Sequence, residues 1–122
     1  MDKPKIGSIG WMDITVPDAE GLKDFYANVV GWTPEALSMG DYSDYAMKTG
    51  DSTVGICHAR GANAQLPPVW LPYFVIADLD ASLEQCEKHG GQRINDIRSY
   101  GGTARYCVIR DPQGAYCVLF QS

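Results

Sequence analysis

The sequence predicts an α+β fold made of two βαβββ modules, and three observations carry that prediction. Strand and helix periodicities follow one order, strand, helix, three strands, and the order repeats after a Pro-containing linker. Turn landmarks recur at an offset of about 60 residues, pairing Asp18 with Asp78, Gly31 with Gly91, Asp51 with Asp111 and Cys57 with Cys117. Four identities at that offset are no better than chance, so the repeat rests on element order and on where turns fall. The third observation is size: 122 residues with 45% hydrophobic content suit one compact domain with a real core.

The elements follow in order. "IGWMDITV" is the first strand, and Pro17-Asp18 turns it into the clearest helix of the chain, "DAEGLKDFYANVVGW". There Leu22, Phe25, Tyr26, Val29 and Val30 recur at helical spacing and form one apolar stripe. Asp18 is a good N-cap, and Gly31 sits where helices end in the left-handed conformation. "TPEALSM", "DYAMKT" and "TVGICHA" supply three strands, and "RGANAQLPP" reads as the linker. "VWLPYFVIA" opens the second half. Its helix, "DASLEQCEKHGG", is capped in this reading by Asp80, carries a narrower stripe of Leu79, Leu83 and Cys86, and stops at Gly90-Gly91. "QRINDIR", "TARYCVIR" and "AYCVLFQ" complete the order, the last two joined by the tight turn "RDPQGA". The expected organisation is a single domain over residues 1–122, with module one at about 5–60, a linker at about 61–68 and module two at about 69–122.

Ten basic against 15 acidic residues give a net charge of −5, which disfavours binding to a phosphate backbone, so no nucleic-acid partner is expected. "MDKPKIGSIGW" lacks the apolar run of a signal peptide, and no segment approaches the roughly 18 to 20 apolar residues needed to span a bilayer. The expectation is a cytoplasmic protein without a membrane partner. Cys57, Cys86, Cys107 and Cys117 are widely spaced and form no C-x-x-C pair, so they read as reduced, mostly buried small hydrophobes. Cys86 and His89 of "CEKH" share a helical face, but no further ligand accompanies them.

Three stretches, "ITVPDAEGLKDFYANVVGW", "FVIADLDASLEQCEKHGG" and "VIRDPQGAYCVLF", together resemble the vicinal oxygen chelate superfamily of glyoxalases, bleomycin-resistance proteins and extradiol dioxygenases. That resemblance covers nearly the whole chain. It implies that each βαβββ module curls into half of a curved, barrel-like mixed sheet, a cup with helices packed outside and a ligand site within. It also implies a homodimer. Metal-dependent members place a His, Glu or Gln ligand on the first and last strand of each module. Carried over by distance from the turn aspartates, those positions are Trp11, His58, Leu71 and Val118. A one-residue shift in the fourth strand would put Cys57 in place of His58. Trp, Leu and Val offer no donor, so no metal cofactor is expected.

Strand alternation then gives a list for the inner face of the cup. With Trp11 inward, Asp13 and Thr15 follow, while Met12, Ile14 and Val16 face the helix. The same phase applied elsewhere puts Tyr45, Met47, Ile56, His58, Arg60, Leu71, Tyr73, Val75, Arg105, Cys107, Tyr116, Val118 and Phe120 inside. It also puts Cys107 and Cys117 on opposite faces. The ligand-binding candidates are Trp11, Asp13, Tyr45, His58, Arg60, Tyr73, Arg105, Tyr116 and Phe120. Asp13 has four readings: an anion for a cationic or hydroxyl-bearing ligand, a group orienting His58 as a base, a partner of Arg60 or Arg105, or, the least favoured, a metal ligand. Arg105 either clamps an acidic group of a ligand or lies exposed at a strand edge. Trp11, Tyr73 and Phe120 either stack on a planar ligand or fill the core.

The function this predicts is metal-independent binding of a small molecule, aromatic or partly cationic, of the bleomycin-resistance kind, by sequestration and not by turnover. The rival is a glyoxalase- or dioxygenase-like enzyme, a lyase, isomerase or oxygenase, with Asp13 and His58 as its catalytic pair.

Overall fold

The computed structural model describes residues 5–99 and 101–122. The first four residues of the N-terminal stretch read above therefore lie outside the described residues. The α+β expectation holds: among the described residues two α-helices, α1 (Ala19–Val29) and α2 (Leu79–Lys88), accompany nine strands. The chain divides into two compact units, one of Met12–Trp70 and one that joins the start of the first strand to Leu71–Ser122. No helix among the described residues is long and apolar enough to cross a membrane.

In the first unit, β1 (Ile9–Val16) runs parallel to β4 (Ser52–His58), and β3 (Ser43–Thr49) and β2 (Thr33–Ser38) continue the sheet antiparallel. The order is β2-β3-β4-β1. Asp18 caps α1, its carboxylate accepting the Gly21 amide at 2.9 Å, and a Cβ at residue 21 would overlap that carboxylate. Gly31 takes φ +87° just past the helix, as its position predicts. The core gathers Ile14, Val16, Ala19, Tyr45, Met47 and Ile56 under Leu22 and Tyr26. Trp70 seals it, donating its indole N–H to the Tyr26 hydroxyl at 3.1 Å, with Trp32 stacked on the Tyr26 ring. The expected single stripe on α1 is split. Phe25, Val29 and Val30 are 54%, 64% and 51% exposed, because only the Leu22/Tyr26 side of the helix meets the sheet.

In the second unit, β5 (Leu71–Val75) runs parallel to β9 (Tyr116–Gln121), and β9 pairs antiparallel with β8 (Arg105–Arg110). The predicted second strand of this module breaks in two, β6 (Gln92–Arg93) and β7 (Arg98–Ser99), each paired to β8. Asn95 causes the break. Its side-chain carbonyl accepts the Val108 amide at 2.9 Å, substituting for a backbone acceptor and letting the chain bulge away.

The cap of α2 is a correction. Asp78, not Asp80, accepts the Ala81 amide, and Asp80 lies one residue inside the helix. This matches the Asp18 landmark of the first module. Leu79, Leu83, Cys107, Ile109 and Leu119 form the second core, flanked by Cys86 and Cys117. "RDPQGA" is the tight turn expected: Asp111 accepts the amides of Gln113 and Ala115, and Gly114 takes φ +88°.

Candidate functional site

Register between strands decides which side chains share a face, and it splits the predicted inner list. On β1, Ile14 and Val16 join the helix-side core, so Asp13 and Thr15 point to the opposite face as expected. Parallel pairing aligns Ile14 with Ile56, Thr15 with Cys57 and Val16 with His58. Ile56 and His58 therefore share the helix-side face, and Cys57 shares the face of Asp13. Tyr45 and Met47 follow Ile56, since Tyr45 lies across from it and both pack in the helix-side core. The predicted facing of Tyr45, Met47, Ile56 and His58 is thus reversed. Alternation fixes facing within a strand, but only pairing fixes it between strands.

The face that remains is acidic. Asp13 is 7% exposed, and the neighbours across from it, Gly55 on β4 and then Ala46 on β3, carry nothing larger than a methyl group. Beside this row stand Cys57 and Asp44. Burial pushes the Cys57 thiol up to about 12, with the carboxylates of Asp13 and then Asp44 adding to the rise. At neutral pH this sulfur stays protonated, a donor toward carboxylates and not a nucleophile.

His58 is held at the end of β4. Its Nδ1 lies 2.8 Å from the Ser43 carbonyl, which can only accept, so Nδ1 carries a proton and donates it. Its backbone amide donates to Asp44 at 2.8 Å, the ring lies 3.7 Å from the same carboxylate oxygen, and Tyr42 meets the ring edge-on. Arg60, one of the two partners foreseen for Asp13, lies 4.2 Å over the Tyr42 ring and 3.5 Å from Asp41. Asp13 and His58 occupy opposite faces of the β1–β4 pair, so the expected coupling of carboxylate and imidazole is not what the register builds.

In the second unit, Arg105, Cys107 and Ile109 on β8 oppose Gln121, Leu119 and Cys117 on β9, all on the helix side. Arg105 and Cys107 are therefore also reversed from their predicted facing. Arg105 donates to Asp80 at 3.0 Å and reaches Gln121 at 3.5 Å, and Gln121 accepts the Leu79 amide, so this arginine secures the start of α2. Cys107 and Cys117 share a face, contrary to the expectation, but stand out of register with each other, and both are free thiols.

The face away from α2 holds Tyr73, Tyr106, Val118, Phe120 and Tyr116, of which Tyr106 was absent from the prediction. The Tyr73 ring lies 6.1 Å from Tyr106 and 6.5 Å from Phe120, within aromatic contact distance. Leu71 is fully buried, and Trp11 is 36% exposed. Tyr106 carries no local signal, since only the pairing of β8 with β9 fixes its facing. Asp44 and Tyr42 carry no local signal, since their roles depend on where His58 ends.

The four positions carried over for a metal hold Trp11, Leu71 and Val118, which have no donor, and His58, whose ring faces the helix side. Among the described residues no group of three or more His, Cys, Asp or Glu side chains could hold a metal ion. The residues present do not fit the metal centre of the resembling enzymes. Cys86 of "CEKH" flanks the second core, and His89 contacts Gln85 at 3.2 Å.

With this geometry in place, comparison with known proteins points to a family. A model of the Glyoxalase/Bleomycin resistance protein/Dioxygenase superfamily matches residues 8–118. The protein named "Putative glyoxylase CFP32" of Mycobacterium tuberculosis is 31% identical over 95% of this chain and 46% of its own length. "Anthracycline biosynthesis protein DnrV" of Streptomyces peucetius is 29% identical over 89% of this chain and 45% of its own. The chain thus spans about half the length of the curated relatives it matches. Among solved structures, the hypothetical protein BH1468 of Bacillus halodurans superposes with a TM-score of 0.64 at 13% identity, covering 97% of this chain and 96% of that one. Methylmalonyl-CoA epimerase of Mycobacterium tuberculosis gives 0.61 at 14%, covering 99% and 92%. At such identities the likeness is one of fold.

Proposed function

We propose, for a chain that belongs to the Glyoxalase/Bleomycin resistance protein/Dioxygenase superfamily, that it binds a small aromatic molecule without a metal and holds it without transforming it. The observation that carries this reading is the group of partly exposed rings, Tyr73, Tyr106 and Phe120, on a strand face turned away from its helix. Aromatic surface with a few polar groups is the usual make-up of a small-molecule site. The donor-poor positions Trp11, Leu71 and Val118 support the metal-free part. The separation of Asp13 from His58 removes the direct support for an acid-base enzyme built on that pair.

The same reading includes a pair of chains and a reducing, cytoplasmic setting. The exposed Phe25, Val29 and Val30 side of α1 supports the first, and four free cysteines support the second. Light scattering on the purified chain is expected to give the mass of a dimer, and a monomer at micromolar concentration would remove that part.

The test of binding is elemental analysis of protein purified without chelator, followed by thermal-shift titration with planar aromatic compounds, with and without EDTA. Substoichiometric metal and shifts that EDTA leaves unchanged are expected. Stoichiometric metal, or shifts abolished by EDTA, would replace this reading with a metal-dependent enzyme.

A further inference from the structure

Arg98 has one feature that no other described side chain shares: its Nε is shielded from solvent and has no hydrogen-bond partner among the described residues. A guanidinium N–H left in that state costs free energy, because the hydrogen bonds it gave up to water are not replaced. Strand pairing fixes where the side chain stands. Arg98 on β7 opposes Tyr106 on β8, and Tyr106 opposes Phe120 on β9, so Arg98 shares the face of the aromatic group and not that of α2. Arg110 shares this face too, by its pairing with Tyr116, and its guanidinium is engaged by Gln92 at 2.7 Å. Both charges at the paired positions of this face are therefore positive, on a chain whose net charge is −5.

From this juxtaposition of an unanswered guanidinium Nε and three rings, we propose that Arg98 recognises the carboxylate of a planar aromatic acid. The rings take the flat body of the ligand. The carboxylate accepts from Nε and from one terminal nitrogen together, the side-on fork for which a guanidinium is shaped. β7 is only two residues long and is held to β8 by two pairs, which leaves the side chain latitude to meet a ligand. The inference rests on the small-molecule reading above and narrows it to acids. Arg105, the arginine expected from sequence to clamp such a group, is committed to Asp80 on the other face.

The test uses three probes of one shape in calorimetric titrations: 2-naphthoate, neutral 2-naphthamide and cationic 2-naphthylmethylamine. The unmodified protein is expected to bind the carboxylate most tightly. Arg98→Gln should weaken naphthoate binding by about ten- to a hundredfold while leaving the amide within about twofold, the range for a charge-assisted hydrogen bond. Arg98→Lys keeps the charge but not the fork, and should recover only part of the loss; it also serves if the Gln variant does not fold. Equal losses for naphthoate and naphthamide would make Arg98 a structural residue and overturn the proposal. Binding of the amide or amine with no preference for the acid would overturn it too, while leaving small-molecule binding intact. Failure of all three probes to bind would overturn both.

Discussion

In residues 12–70 the strand face turned away from α1 carries Asp13, Asp44 and Cys57, whereas the corresponding face of the second unit carries Arg98, Arg110 and a cluster of rings. Both units pack one helix on one sheet, cap that helix with an aspartate three residues before the amide it serves, and follow it with a glycine at positive φ. What repeats is the machinery that makes each unit fold. What differs is the side of the sheet that the helix leaves uncovered. A repeated framework constrains the buried helix-side face, where close packing fixes volume, and leaves the other face free to differ in sign.

The largest expected effect tests whether the two frameworks are equivalent. Ile56→Ala and Leu79→Ala each remove a fully buried side chain, one from each core, and each should cost about 2–5 kcal/mol in urea unfolding. A loss below about 1 kcal/mol in either would show that its core is not packed as described.

Alkaline unfolding separates the faces next. Cys57 is raised to about 12 and Cys117 to about 11, against an ordinary thiol value of 9.0, with burial the leading cause in both. A raised acid retains its proton in the folded state after the unfolded state has lost it. Stability is therefore full below about pH 9 and falls as pH rises, by at most about 1.4 kcal/mol per pH unit for each thiol. The loss from Cys57 continues to about 12 and that from Cys117 stops near 11. Cys57→Ala should flatten the decline over the wider window, as read from urea midpoints between pH 8 and the highest pH at which folding is reversible. An unchanged slope in the Cys57→Ala variant would place that thiol in water.

The smallest effects sharpen the correspondence of the two helix starts. Asp18→Ala and Asp78→Ala should each cost about 1 kcal/mol. Asp80→Ala should cost no more than about 0.5 kcal/mol, since it breaks only an exposed pair with Arg105. A larger loss from Asp80 than from Asp78 would return the cap to the position first expected from sequence.

Much of the candidate site was within reach of the sequence, and the misassigned part has identifiable causes. On β3, Tyr45 and Met47 alternate with Asp44 and Lys48, a polarity contrast that already points the apolar pair toward a helix. Carrying the phase of β1 across the turns obscured it. On β8 no such contrast exists, because Arg105, Cys107 and Ile109 alternate with Tyr106, Val108 and Arg110, each set containing one arginine and two less polar residues. Only the pairing with β9 could resolve that strand. The break at Asn95 was equally hidden, since it depends on a side chain replacing a carbonyl opposite Val108.

By itself the sequence determined the order of elements, the helix starting at Asp18, the turn at Asp111 and the resemblance that family membership later supported. Those features depend on contacts a few residues apart, through caps, positive-φ glycines and periodicity, and such contacts are written locally. Tertiary structure alone decided that His58 and Asp13 stand on opposite faces, that Arg105 serves α2, and that Arg98 joins the rings. Each of these is set by hydrogen-bonded register between strands far apart in the chain, and a shift of one residue in that register reverses every side chain on the strand.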